Sequence, residues 1–218
     1  MCEAGNVLDV FLRCIYPVPK PVVEDFELLE ALATPAEKYE TEVVLDMLKL
    51  WLVTPENLRR DPLRIYAIAC TSTAFDEQAK VAAKWMTPDT VYSARLDTIA
   101  RLATMDHHRL VTYLVKREKE ASLVIDKPPS SIFYTSPLCA CKTETKADFQ
   151  VLINKALLDA FVSDPSLTTE RAIVLACKQL AKVRPCYCCH GCSLVNQGEQ
   201  YTRQLMQNLV QMSDRLLW

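Results

Sequence analysis

A chain of 218 residues, 50% hydrophobic and 24% charged, can bury a real core, as one domain of upper-middle size or two small ones. Its formal net charge of -2 leaves no basic footprint for nucleic acid or an acidic membrane surface, and its 3 glycines leave little material for hairpin turns or phosphate-cradling loops. Short apolar runs broken by charges argue against a membrane span, no leader pattern precedes residue 30, and the 10 cysteines read as reduced thiols or metal ligands of an intracellular, cytoplasmic or nuclear protein.

The first element is a helix carrying Val7, Leu8, Phe11, Leu12 and Ile15, apolar at i, i+1, i+4, i+5 and i+8 and ended by Tyr16-Pro17. The residues before it cannot supply a layer, so the stripe is expected either to be covered by later helices or to follow a missing first half. Phe11, Leu12 and Ile15 are expected to pack on a helix from Val43 to Trp51, with their far edge partly exposed. Pro17, Pro19 and Pro21 predict a rigid extended connection. A second helix runs from about Phe26 to Tyr39 through Phe26, Leu29, Leu32 and Ala36. Pro35 interrupts it, and Thr34 with Glu37 at capping-box spacing predicts a kink or a restart. Val43, Val44, Met47, Leu48, Trp51 and Leu52 then predict a buried helix.

Thr54-Pro55, Asp61-Pro62 and Thr87-Pro88 each put a capping side chain before a proline suited to a first helical turn, so three helices, or two and a short turn, are expected to start there. Leu63, Tyr66, Ala67 and Cys70 line one face, and Ala79, Ala82, Ala83 and Met86 the next. Further helices are expected at Ala94 to Ala103 and Met105 to Leu123, with the charged run Lys116 to Glu120 as a solvated face. Prolines and serines over 126–138 break the periodicity, giving a division into 1–125, a linker at 126–146 and a C-terminal helical region at 147–218. That region holds helices near 147–162 and 168–182, a cysteine-rich link, and a last helix from about 199 to 217 whose seam is Tyr201, Leu205, Leu209, Met212 and Leu216. The expected fold is all-α, an irregular multi-helix array.

The phrases VLDVFLRCIYPVPKP, EALATPAEKYETEVVLDMLKLWL and DPLRIYAIACTSTAFDEQAKVAAKWM, continued by MDHHRLVTYLV, resemble the C-terminal half of a BTB/POZ domain and its helical extension, as found in a large family of fungal proteins. The resemblance implies a module that mediates self-association or holds a protein partner, and in some members serves cullin-type ubiquitin ligases as a substrate adaptor. It implies that the sheet-bearing N-terminal half of the domain is absent here. It also carries over Leu8, Phe11, Leu12, Tyr16, Tyr39, Val43, Val44 and Leu48 as core positions, while Pro35 departs from the pattern.

Chemistry concentrates in the cysteines. Cys186, Cys188, Cys189, His190 and Cys192 fall within seven residues, and Cys139 and Cys141 lie upstream past the boundary. Cys189-x-x-Cys192 and Cys186-x-x-Cys189 both have the spacing that lets two thiolates grip a tetrahedral zinc, with Gly191 giving the turn its freedom. The resemblance favours Cys189 with Cys192, paired with Cys139 and Cys141, as the ligand set of a structural zinc, with Cys186, Cys188 and His190 as alternates. The spacing Cys139-x-Cys141 is closer than in common zinc knuckles, and a reduced cysteine-rich loop is the competing reading. Redox chemistry at C-x-x-C needs a strand feeding the motif, which the pattern lacks. His107 and His108, adjacent on a helix, point about 100° apart and cannot chelate together. Cys2, Cys14, Cys70 and Cys177 read as small core residues, and Trp51 and Trp85 as core. No catalytic residue set emerges. The expectation is a non-enzymatic protein–protein interaction module, self-associating or holding a protein partner, with a cullin-ligase adaptor or a small zinc-stabilised regulatory protein as alternatives.

Overall fold

Helix follows helix along the chain in the computed structural model, which describes residues 4–126, 144–164, 167–180 and 192–216. The elements are α1 Gly5–Ile15, α2 Phe26–Lys38, α3 Glu42–Leu52, α4 Pro55–Arg60, α5 Pro62–Ala69, a 3-10 turn Thr73–Phe75, α6 Asp76–Lys84 and α7 Pro88–Tyr92. They continue with α8 Leu96–Ala100, α9 Thr104–Asp126, α10 Glu144–Ser163, α11 Thr169–Leu180 and α12 Cys192–Arg215. The described residues contain no strand, so the fold is an all-α multi-helix array. Two compact units divide between Val111 and Thr112, inside α9. Most of the 126–146 segment expected as a linker lies outside the described residues.

In the first unit the expected proline starts are all used. Asp61 accepts from the Arg64 amide at 2.9 Å and opens α5, and Thr87 and Thr90 cap α7 reciprocally. Thr54 precedes α4 but its hydroxyl donates back to the Trp51 carbonyl, finishing α3 instead of capping α4. The helix expected over Ala94 to Ala103 shrinks to α8, because Arg95 is extended, with ψ 138°. Pro35 causes no restart: α2 is one helix, capped at its start by Asp25 accepting from the Glu27 amide. Its end is a Schellman turn, with Thr41 N–H on the Ala36 carbonyl at 2.9 Å and Glu40 N–H on the Glu37 carbonyl at 3.0 Å. Glu40 holds the left-handed position there, at φ 48°.

Buried Leu29, Leu32, Val44, Leu48, Leu52, Leu63, Ile65, Tyr66, Phe75 and Met86 form this unit's interior. Helix α5 runs through the middle, packed against α6, α2 and α8, while α1 packs chiefly on α2 and α3 among the described residues. That one-sided support corrects the expected α1 stripe. The buried arc is Val7, Val10, Phe11 and Cys14, whereas Leu8, Leu12 and Ile15 are 48%, 39% and 44% exposed. Of the eight core positions carried by the resemblance, Phe11, Val44 and Leu48 are buried, and Leu8, Leu12, Tyr16, Tyr39 and Val43 are surface residues.

The second unit buries Ala121 and Ile125 of α9, Ile153, Leu157 and Phe161 of α10, Ala172 and Ala176 of α11, and Tyr201, Leu205 and Leu209 of α12. The α12 seam is as the periodicity predicts, with Met212 buried and Leu216 partly so, but the helix starts at Cys192, earlier than the expected 199. Polar side chains tie the helices. Asn154 donates to the Ile125 carbonyl at 2.9 Å and accepts from the Tyr201 hydroxyl at 2.5 Å, and Tyr113 bonds Ser213 at 3.1 Å. The charged run on α9 is not wholly solvated: Arg117 is 5% exposed. It shares the row Tyr113, Arg117, Ala121, Ile125 at i+4 steps, all buried, so the helix carries it inward with its neighbours. Its guanidinium donates to the Phe161 carbonyl at 2.9 Å and lies 4.8 Å from the centre of the Phe161 ring.

Candidate functional site

The expected metal centre falls largely outside the described residues, where Cys139, Cys141, Cys186, Cys188, Cys189 and His190 all lie. Cys192 is the first residue of α12. Among the described residues no group of three or more His, Cys, Asp or Glu side chains is placed to hold a metal ion. Cys2 also lies outside them.

The described cysteines Cys14, Cys70 and Cys177 are free thiols. Cys14 is wholly buried, and burial pushes its thiol up against the lowering influence of Lys20 and Arg13. Cys70 closes α5 beside Tyr66. Burial, opposed by a hydrogen bond with Tyr66, pushes Cys70 up to about 11. Burial likewise pushes the Tyr66 phenol well above its ordinary value; its hydroxyl donates to the Asp106 carbonyl at 3.1 Å. Both thiols are held protonated at neutral pH, the opposite of an activated nucleophile. His107 and His108 lie in the first turns of α9, half-buried and exposed respectively. Trp51 is buried, while Trp85 is half-buried with the Arg59 guanidinium 5.9 Å from its ring.

One apolar feature of the first unit's surface is the outer side of α1; α3 shows a second row, with Val43 and Leu50 exposed. Leu8, Leu12 and Ile15 stand at i, i+4 and i+7, so they form one continuous apolar row pointing away from the core. Phe11 is the member of the buried arc nearest that row, and Tyr39, 53% exposed, stacks edge-on against it with ring centres 6.0 Å apart. The row therefore widens across the end of α2, with Lys38 over the Tyr39 ring at 4.8 Å. Tyr16 extends it at the C-terminal end of α1, 58% exposed. On the opposite edge run Asp9 and Arg13, an exposed ion pair at 3.9 Å. Sequence reasoning placed these apolar residues in a core. The signal against it was Val10 and Cys14, which with Val7 and Phe11 make a second stripe of equal length.

A shallower feature lies in the second unit. Val115, Leu123, Leu158 and Val162 line an open groove of about 660 Å³ between α9 and α10, rimmed by Glu118, Lys119 and Asp159. No described helix is long and apolar enough to cross a membrane. Neither a family model, nor a curated protein, nor a solved structure matches this chain.

Proposed function

We propose that this chain is a non-enzymatic protein–protein interaction module, of BTB/POZ type by its sequence phrases, that self-associates through the outer side of α1. The observation that carries the reading is the apolar row Leu8, Leu12 and Ile15, flanked by Tyr16 and Tyr39, on a helix whose other face is buried. Apolar side chains grouped in one patch with a polar rim mark association surfaces, whereas singly scattered ones need no explanation. An amphipathic helix presenting i, i+4 and i+7 anchors is a recurring recognition element.

Sedimentation equilibrium of the reduced full chain, from micromolar to near-millimolar concentration, tests it. The weight-average mass is expected to rise above the 24.7 kDa of one chain as concentration rises. A mass constant at one chain throughout overturns the proposal.

A further inference from the structure

We infer that the partner of α1 is α1 of a second copy, packed antiparallel across a two-fold axis that passes between residues 11 and 12. This deepens the interaction-module reading and rests on it. The row Leu8, Leu12, Ile15 covers about 10 Å of helix axis, and its midpoint lies between residues 11 and 12. A two-fold axis there places Leu8 of each copy against Ile15 of the other and brings the two Leu12 side chains together. The row is thus matched to itself without a gap, as an isologous interface requires.

Charge selects the direction. Asp9 and Arg13 each follow a row residue by one position, so both stand on the same edge of the row, with side chains 66% and 45% exposed. In the antiparallel pair the charged edges of both copies fall on the same side. Asp9 of one copy then lies within about 1.5 Å, along the axis, of the height of Arg13 in the other. Two reciprocal Asp–Arg pairs result. In a parallel pair the charged edges fall on opposite sides, and neither pair can form. Opposed helix dipoles favour the same direction. On the far edge the Tyr39 ring, seated on Phe11, adds apolar surface beside the Lys38 ammonium.

A face this short offers about half of the roughly 800 Å² per partner of a standard interface, so the dimer is weak and reversible. Two single variants of the full chain, Asp9→Arg and Arg13→Asp, test the geometry by sedimentation equilibrium in reducing buffer. Each alone sets like charges against each other in both pairs, and its dimerisation constant is expected to weaken about fivefold. An equimolar mixture of the two restores both pairs between unlike copies, and association is expected to return to the wild-type level. The ion pair within one helix cannot produce that recovery. Nor can misfolding, and the milder pair Asp9→Lys with Arg13→Glu repeats the comparison. A mixture that associates no better than its components, while the wild type still dimerises, overturns the antiparallel pairing and leaves the interaction-module reading intact. A wild type that is monomeric at every concentration overturns both.

Discussion

Arg117 is the residue whose removal should cost the second unit most for its type. It is 5% exposed, and burial pulls its pKa down from the ordinary guanidinium value, though it remains charged at neutral pH. Its hydrogen bond reaches the Phe161 carbonyl in the last turn of α10, where a helix leaves its own carbonyls unpaired. A bond from a charged donor is worth about 1.5–3 kcal/mol and a buried cation–π contact up to about 2 kcal/mol, against which stands the cost of taking the guanidinium out of water. Truncation by Arg117→Ala also removes the packed stem, so the net loss is expected to be about 3 kcal/mol. Arg117→Met keeps the stem and should lose about half as much. Urea unfolding followed by far-UV circular dichroism reads both, with Lys116→Ala, an exposed neighbour in the same charged run, as a control expected within about 0.5 kcal/mol of wild type. If Arg117→Ala unfolds with the control, the buried position of this arginine and the helix tie built on it are wrong.

Three further outcomes follow from the packing. Tyr201→Phe removes the donor to Asn154 and should destabilise the second unit by about 1 kcal/mol in the same urea assay; no change would mean that the α9–α10–α12 polar chain carries no weight. Glu40→Gly relieves a side chain held at φ 48° in the Schellman turn and should raise stability by about 0.5–1 kcal/mol, whereas a loss would contradict the left-handed geometry. Cys70, pushed up to about 11, should be about one part in a thousand thiolate at pH 8, against about a tenth for a thiol at the ordinary 9.0, so peptide-mapped iodoacetamide labelling should find it among the slowest described sites. A raised thiol pKa favours the protonated, folded form. Its contribution is therefore complete below the unfolded value of 9.0 and is lost as pH rises to about 11; labelling of native Cys70 at the rate of a free peptide would refute this.

Local chemistry was the most legible part of the sequence. Asp61-Pro62 and Thr87-Pro88 start helices because capping and a fixed φ act within one turn and need no tertiary information. The α12 seam was equally plain, since Tyr201, Leu205, Leu209 and Met212 leave a single apolar arc. Helix α1 was misread because it carries two overlapping arcs that share Val7 and Phe11, and only the positions of α2 and α3 decide which is covered. Arg117 was misread for the converse reason. A charged residue inside a run of charges looks solvated until its i−4 and i+4 neighbours, Tyr113 and Ala121, are known to face a core. Pro35 has no N–H to return to the Ala31 carbonyl and crowds it, yet α2 runs on to Lys38, because burial of Leu32, Ala33 and Ala36 holds the helix in place. The cysteine cluster was conspicuous in the sequence, yet its ligand geometry lies almost entirely outside the described residues.

The most direct test of the association surface is Leu12→Asp, read twice on the same sample. Leu12 is 39% exposed at the centre of the row, so a carboxylate there should abolish concentration-dependent sedimentation while moving the thermal midpoint by no more than about 2 °C. A chain that still associates like wild type, or one that loses its fold because Leu12 belongs to the core, contradicts the account.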